Sequence, residues 1–331
     1  MLTRLTLGTL VTIAASATCG PRPATMPWEV QHFDAGTADG GAPVSLVADC
    51  TPCETWGAVE IRGPLPSQLD ELSGLAASAA HPGVIYAHND SGDSPRLFAL
   101  DTFGRLLAEL KLSGAQAIDW EDMALGPCDS DARAPCLFLA DIGDNLRRRG
   151  TYTVYRAREP ALPIGADQTP ELNLPFDRLP FIYPNGERNN AETLLSHPAT
   201  GALYVVSKGI AGQPSRVFRF PTPLTPDVTV TLVEVGPLSV PEPTDILVTG
   251  GDIHPCGTSL LVRMYNRAVE LREVPDAGFE TTFTTRARDV PTAIDEPQGE
   301  AITWGPDGQS YFTASEHTGQ SLHRVQCVRA P

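Results

Sequence analysis

Between residues 73 and 316 the apolar and polar positions return in one order. A small or acidic residue opens a short apolar run, a Pro/Gly turn follows, and a second apolar run ends in polar residues. The copies are SGLAASAAHPGVIYAHND (73–90), EDMALGPCDSDARAPCLFLAD (121–141), AETLLSHPATGALYVVSK (191–208), TGGDIHPCGTSLLVRMY (249–265) and EAITWGPDGQSYFTASE (300–316). Each is followed by a further alternating run: RLFALD, TYTVYRA, RVFRF, AVELREV or SLHRVQCV. Runs this short, alternating with period two and broken by Gly and Pro, predict strands. In four copies a fourth strand-like run follows: LLAELKL, NLPFDRLPF, VTVTLVEV or TTFTTRARDV. The last copy lacks one before Pro331, and WGAVEIRG (56–63), upstream of the first copy, is placed to supply it.

Four short strands per unit, opening 48 to 70 residues apart, describe the blades of a β-propeller. The expected fold is therefore all-β, with five four-stranded blades over residues 55–331 and an N-terminal strand closing the last one. Closure of that kind buries two sheet edges that would otherwise invite pairing with other chains. The 70-residue second unit carries the insertion EPALPIGADQTPE, which leaves a sixth, irregular blade open.

ELSGLAAS, HNDSGD, DWEDMA, DIGDN and VRMY resemble a group of secreted bacterial propeller proteins, over roughly residues 55–328. More distantly, the openings SGLA and EDMA and the acidic strand ends are similar to gluconolactonase, paraoxonase and strictosidine synthase propellers and to the esterase-like phytase domain. The nearer resemblance implies a fold. The distant one implies a calcium-dependent ester or lactone chemistry.

The N-terminus, MLTRLTLGTLVTIAASATCG, has one Arg, then an apolar stretch, then small residues. That is a secretory signal, too short to span a bilayer. Ala15-Ser16-Ala17 suits a general signal peptidase, whereas Cys19 after SAT resembles a lipobox with Ser16 where Leu is usual. Residues 1–19 are thus read as a signal with Cys19 as a lipidation candidate, and 20–54, rich in Gly, Ala, Pro and Asp, as a tether. Seven Cys less Cys19 leave six, enough for three disulfides in an exported chain. Cys128 and Cys136 bracket a polar loop. Cys50 and Cys53 form CTPC, read as a structural bridge before a redox pair, which leaves Cys256 with Cys327. The expected location is the bacterial cell envelope or the exterior, with membrane contact only through a lipid anchor. A net charge of −16 excludes nucleic acid as the natural partner. A cell-envelope protein or a small molecule remains.

The first strand of a propeller blade lines the central channel. Aligning the turns puts Gly74, Glu121, Glu192, Thr249 and Glu300 at one opening register, so three carboxylates converge. Such a ring needs protons or a cation, and hard oxygen ligands suit Ca²⁺. A second ring is expected from Asn89, Asp141, Ser207, Arg263 and Ser315, with Asp90, Lys208 and Glu316 beside it. Arg263 is the rival to a metal as the neutralising charge. HNDSGDS also begins like an EF-hand loop, but its twelfth position is Leu100 and the motif fails. The reading is a cell-surface binding or scaffold module with a cation in an acidic channel, its metal ligands Glu121, Glu192, Glu300, Asn89 and Asp141. The alternative is a metal-dependent ester or lactone hydrolase in which His88 or His317 moves protons.

Overall fold

The computed structural model describes residues 48–128, 135–165, 168–209, 213–240 and 247–329. The expected signal (1–19), the lipidation candidate Cys19 and most of the expected tether lie outside the described residues. Five antiparallel sheets follow one another along the chain. The innermost strands are Leu72–Ala77, Trp120–Pro127, Ala191–Ser196, Val248–Ile253 and Gly299–Trp304, one for each of blades 1 to 5. Each pairs with the next strand of its own repeat, as the alternation predicts. In blade 5, strand Ser321–Gln326 pairs with the N-terminal strand Glu60–Pro64, so the ring closes through hydrogen bonds between the two ends of the domain.

Two short strands cross from one repeat to the previous blade. Glu171–Asn173, from the insertion of the second repeat, pairs parallel with the outer strand Leu106–Lys111 of blade 1. Val230–Thr231, from the third repeat, pairs parallel with Phe176–Ile182 of blade 2. The insertion therefore covers an outer edge, and the described residues form five blades without a sixth.

Hydrophobic burial sits between the blades. Trp120, Met123, Tyr155 and Leu139 of blade 2 pack with Tyr86 and Leu97 of blade 1. Phe138 and Tyr152 of blade 2 pack with Leu194 and Phe218 of blade 3. Similar clusters join blades 3 and 4, blades 4 and 5, and blades 5 and 1. The second strands of blades 1, 3, 4 and 5 are buried on both faces, because each blade is covered by a neighbour on either side.

The disulfides are Cys128–Cys136, Cys50–Cys256 and Cys53–Cys327. The loop-closing pair is as expected; the pairings of Cys50 with Cys53 and of Cys256 with Cys327 are not. The reason is that residues 48–56 are not free chain here. They lie across blades 4 and 5, where Asp49 N–H donates to the Asp307 carbonyl (2.8 Å) and Gln309 Nε2 donates to the carbonyls of Asp49 and Thr51 (3.0 Å each). The two cysteines of CTPC thereby face different partners. Three disulfides are the covalent chemistry of an oxidising, non-cytoplasmic compartment. Because Cys53–Cys327 links residues 274 apart, next to the closing strand, replacing both cysteines by Ser is expected to lower unfolding stability by about 2–5 kcal/mol in urea titrations.

Candidate functional site

One irregularity recurs in every innermost strand. The pairing register shifts between Leu72 and Gly74, Trp120 and Asp122, Ala191 and Thr193, Val248 and Gly250, and Gly299 and Ala301. The extra residue of each bulge is Ser73, Glu121, Glu192, Thr249 or Glu300. A bulge bends the strand and re-aims the side chain of the inserted residue. These five form the ring predicted from the turns, with Ser73 rather than Gly74 as the member from blade 1.

The ring divides by chemistry. Ser73 donates its hydroxyl proton to the Glu121 carbonyl of the next blade, and Thr249 donates to the Gly299 carbonyl (2.9 Å). The hydroxyl members thus tie blade 1 to blade 2 and blade 4 to blade 5. The other three members are glutamates, each about 3% exposed.

Two residues before each glutamate stands the group that answers it. In blade 3, Asn190 Nδ2 donates to Glu192 Oε1 (2.8 Å), and in blade 5, Gln298 Nε2 donates to Glu300 Oε1 (3.0 Å). In blade 2 the equivalent residue is Asp119, a second acid. Glu121 therefore lacks the amide donor that its counterparts have. Asp90 closes the group: one carboxylate oxygen from each of Asp90, Asp119 and Glu121 lies within 4.8 Å of the others. Gly143 makes this crowding sterically feasible, since a Cβ there would lie 2.1 Å from Glu121 Oε1 and 2.4 Å from Asp119 Oδ2.

Two cations temper the field. Lys208 Nζ pairs with Glu192 Oε2 at 2.9 Å and lies 5.2 Å over the Tyr265 ring; burial would lower its pKa, but the Glu192 carboxylate more than offsets this and raises it. Arg149 pairs with Asp141 at 2.7 Å. Against them stand Asp90, Asp119, Glu121, Glu192, Glu300 and Glu316, and burial together with this excess of negative charge raises Asp90, Glu121 and Glu300. Burial, reinforced by Asp119, Glu192 and Glu316, pushes Asp90 up to about 7. Burial, with Glu192 and Glu316, pushes Glu300 up to about 9. Glu121 is raised well above the usual carboxylate range by burial and then by Glu192, Asp90 and Asp119. Glu300 Oε2 is buried with no protein hydrogen-bond partner.

The expected second ring is a backbone clamp. Asn89 Oδ1 accepts from Glu71 N–H (3.3 Å), Asp141 Oδ1 from Asp119 N–H (3.1 Å) and Ser315 Oγ from Gln298 N–H (3.0 Å), in each case two residues before the bulge. Ser207 instead accepts from Arg216 N–H (2.9 Å). Of the five proposed ligands, then, Glu121 joins the triad, Glu192 and Glu300 have amide donors, and Asn89 and Asp141 hold the entering backbone. Asp93 and Asp144 behave as turn residues: Asp93 accepts from Ser94 N–H (2.6 Å), and Asp144 from Arg148 and Arg149 N–H (2.8 Å each).

Arg263 does not belong to this ring. The residue paired with the opening of its strand is Met264, against Val248, while Arg263 pairs with Gly250. A slip of one position sends a strand side chain to the opposite face. Arg263 is fully buried between blades 4 and 5 beneath Gly299, where a Cβ would lie 1.5 Å from its NH2 nitrogen. It pairs there with Glu296 (2.7 Å), which also accepts from Thr313 (2.7 Å) and lies 3.1 Å from His323. His88 occupies the same register in blade 1, opposite Gly74. It is fully buried with its ring 5.5 Å from Trp120, and its Nδ1 lies 2.8 Å from the Asn89 carbonyl. His317 is exposed on a turn at φ 83°. Neither His hydrogen-bonds to the triad.

No family model matches the sequence, and a search of curated proteins finds no relative. Among solved structures, the chain is similar to the PQQ-bound aldose sugar dehydrogenase of Streptomyces coelicolor, at 11% identity and TM-score 0.48, covering 83% of this chain and 99% of that one. It is likewise similar to the apo form of the soluble aldose sugar dehydrogenase of Escherichia coli, at 13% identity and TM-score 0.46, covering 83% and 100%. At such identities the likeness extends no further than the fold, and it adds nothing to the distant resemblance to gluconolactonases and paraoxonases.

Because Glu296 has no exposure of its own, Arg263→Met leaves a buried carboxylate without its main counter-charge. The expected loss is about 3–5 kcal/mol in chemical denaturation, and the double variant Arg263→Met/Glu296→Met should recover a large part of it.

Proposed function

We propose that this is an exported binding module whose acidic channel mouth holds one hard divalent cation of the Ca²⁺ type on Asp90, Asp119 and Glu121. The observation that carries the reading is the acid at position 119, where blades 3 and 5 place an amide donor for their glutamate. Blade 2 supplies a further acid instead, and like charges at this separation ionise together only with compensation. The triad's span fits the task. Two oxygens on opposite sides of a Ca²⁺ ion, each about 2.4 Å from it, are about 4.8 Å apart. Three carboxylates leave room for water or a partner's oxygen to complete the six to eight ligands that Ca²⁺ takes. The ion would supply positive charge to the mouth and an attachment point for an oxygen-bearing partner. A hydrolase is the weaker reading, because His88 is packed between blades and His317 makes no hydrogen bond to the triad.

Thermal unfolding of the chain lacking residues 1–19, in chelator and then in Ca²⁺, tests this. A ligand that binds only the native state at a hundredfold excess over Kd adds about 2.7 kcal/mol, a rise of roughly 5 °C or more for a domain of this size. Asp119→Asn, which restores the amide seen in blades 3 and 5, should remove most of that rise while making the chelated protein more stable. A full Ca²⁺ response in the variant, or none in the parent with any divalent ion, defeats the proposal.

The pH dependence follows from Asp90 and Glu300. Their pKa values are raised in the folded state to about 7 and about 9, so over this range the native protein holds protons that the unfolded chain has shed. Stability in chelator should fall as pH rises from about 5 towards 9. The increment from Ca²⁺ should grow over the same window, as protons cease to compete. Unfolding midpoints at half-unit pH intervals, with and without Ca²⁺, check both slopes.

A further inference from the structure

At the other end of the inner strands, beneath the disulfide-held segment, lies a cavity of about 280 Å³ between blades 4 and 5. Its walls include Cys50, Pro52 and Cys53 of the segment and Glu270, Arg272, Pro275 and Trp304 of blades 4 and 5. Three of its polar groups have no protein hydrogen-bond partner: Trp304 Nε1, Arg272 Nε and Glu270 Oε2. Trp304 and Glu270 are 3% and 2% exposed, so these groups are cut off from bulk water. Glu270 and Arg272 lie 3.1 Å apart, close enough to balance charge but not aligned as a hydrogen bond. His254, by contrast, is satisfied. Its Nε2 lies 2.9 Å from the Gly308 carbonyl, and its Nδ1 accepts from Cys256 N–H (3.0 Å), so it supplies an aromatic wall beside Trp304, centroids 4.6 Å apart.

We infer that this cavity is a second binding site, for a small neutral molecule with an apolar body and one group that both donates and accepts hydrogen bonds, such as a primary amide. The donors Trp304 Nε1–H and Arg272 Nε–H call for an acceptor, and Glu270 Oε2 calls for a donor. A net charge on the ligand is disfavoured: the buried acid of the wall, Glu270, already faces Arg272, while Glu54, which also pairs with Arg272, is exposed and Glu273 is only half-buried, so an added ion would be buried without compensation. The volume lies at the low end of small-molecule pockets, which sets the size at about one ring with one polar substituent. The site is independent of the acidic mouth and its cation.

Benzamide, benzoate and benzylamine share one shape and differ in charge, so they make the probe. Saturation-transfer NMR and the perturbation of indole resonances on the disulfide-intact domain should show benzamide binding at least about tenfold more tightly than either ion, the scale expected for buried groups left unpaired. Glu270→Gln removes the buried negative partner of Arg272 and leaves it only the exposed Glu54 (3.0 Å), so the preference should move to benzoate. A single cooperative thermal unfolding transition reports that the variant is folded, and an Asp119→Asn variant, at the other end of the inner strands, should keep the parent's order. Equal binding of all three compounds, an unchanged order in Glu270→Gln, or no binding at all (a cavity filled by solvent only) overturns the inference.

Discussion

A bulge at the second position of each innermost strand is the constraint on which the mouth of this propeller depends. The bulge recurs at the same position in all five strands, so it re-aims the inserted side chain in the same way in each blade. The bulge turns Ser73, Glu121, Glu192, Thr249 and Glu300 into a single ring. Where the residue is a hydroxyl, it is spent on the neighbouring backbone and stitches two blades together. Where it is a glutamate, the charge must be met locally. An amide two residues upstream does this in blades 3 and 5, and Lys208 adds a direct ion pair to Glu192. Blade 2 is the exception that makes the mouth chemically distinct.

Deeper in the channel the same logic serves cohesion. Leu194 N–H donates to Asp122 Oδ2 across blades 2 and 3 (3.0 Å), and Trp304 N–H donates to Asp252 Oδ2 across blades 4 and 5 (2.8 Å). Ala77 N–H donates to Thr303 Oγ1 across the closing junction of blades 5 and 1 (3.1 Å). Burial pushes Asp252 up to about 7, and Asp122 well above the usual carboxylate range. Carboxyl oxygens thus serve as acceptors for inner-strand N–H groups that have no partner within their own sheet, a need that buried backbone always imposes. The two faces of the propeller differ accordingly: one gathers charge, and on the other a disulfide-held segment lies across blades 4 and 5 over an aromatic cavity.

Much of this was legible in the residues. Period-two alternation with Gly/Pro turns placed the strands of five blades and the closing strand, because strand pairing within a repeat is local and each turn declares its own position. The carboxylate ring was visible for the same reason: Glu121, Glu192 and Glu300 stand at one distance from homologous turns. The count failed by one residue at Gly74 and at Arg263. At Gly74 the bulge is the reason, because its extra residue depends on pairing; at Arg263 the turn is one residue longer, since Met264 stands seven residues after Gly257 where Asn89 stands six after Gly83. That single step carried Arg263 away from the mouth into a buried pair with Glu296, 33 residues along the chain.

The sequence by itself therefore determined the architecture and the concentration of acid at one end of it. Three matters were decided only in the tertiary structure: the grouping of Asp90, Asp119 and Glu121, the choice of Lys208 rather than Arg263 as counter-ion, and the disulfide partners of Cys50 and Cys53. Each joins residues from different blades or from the covering segment and a blade, except the Lys208–Glu192 pair, which the bulge of blade 3 brings into reach. Alternation and turn chemistry specify how a chain pairs with its own neighbours. Which side chains meet across a ring depends on the closed geometry of the blades, and that geometry exists only once the first and last strands have paired.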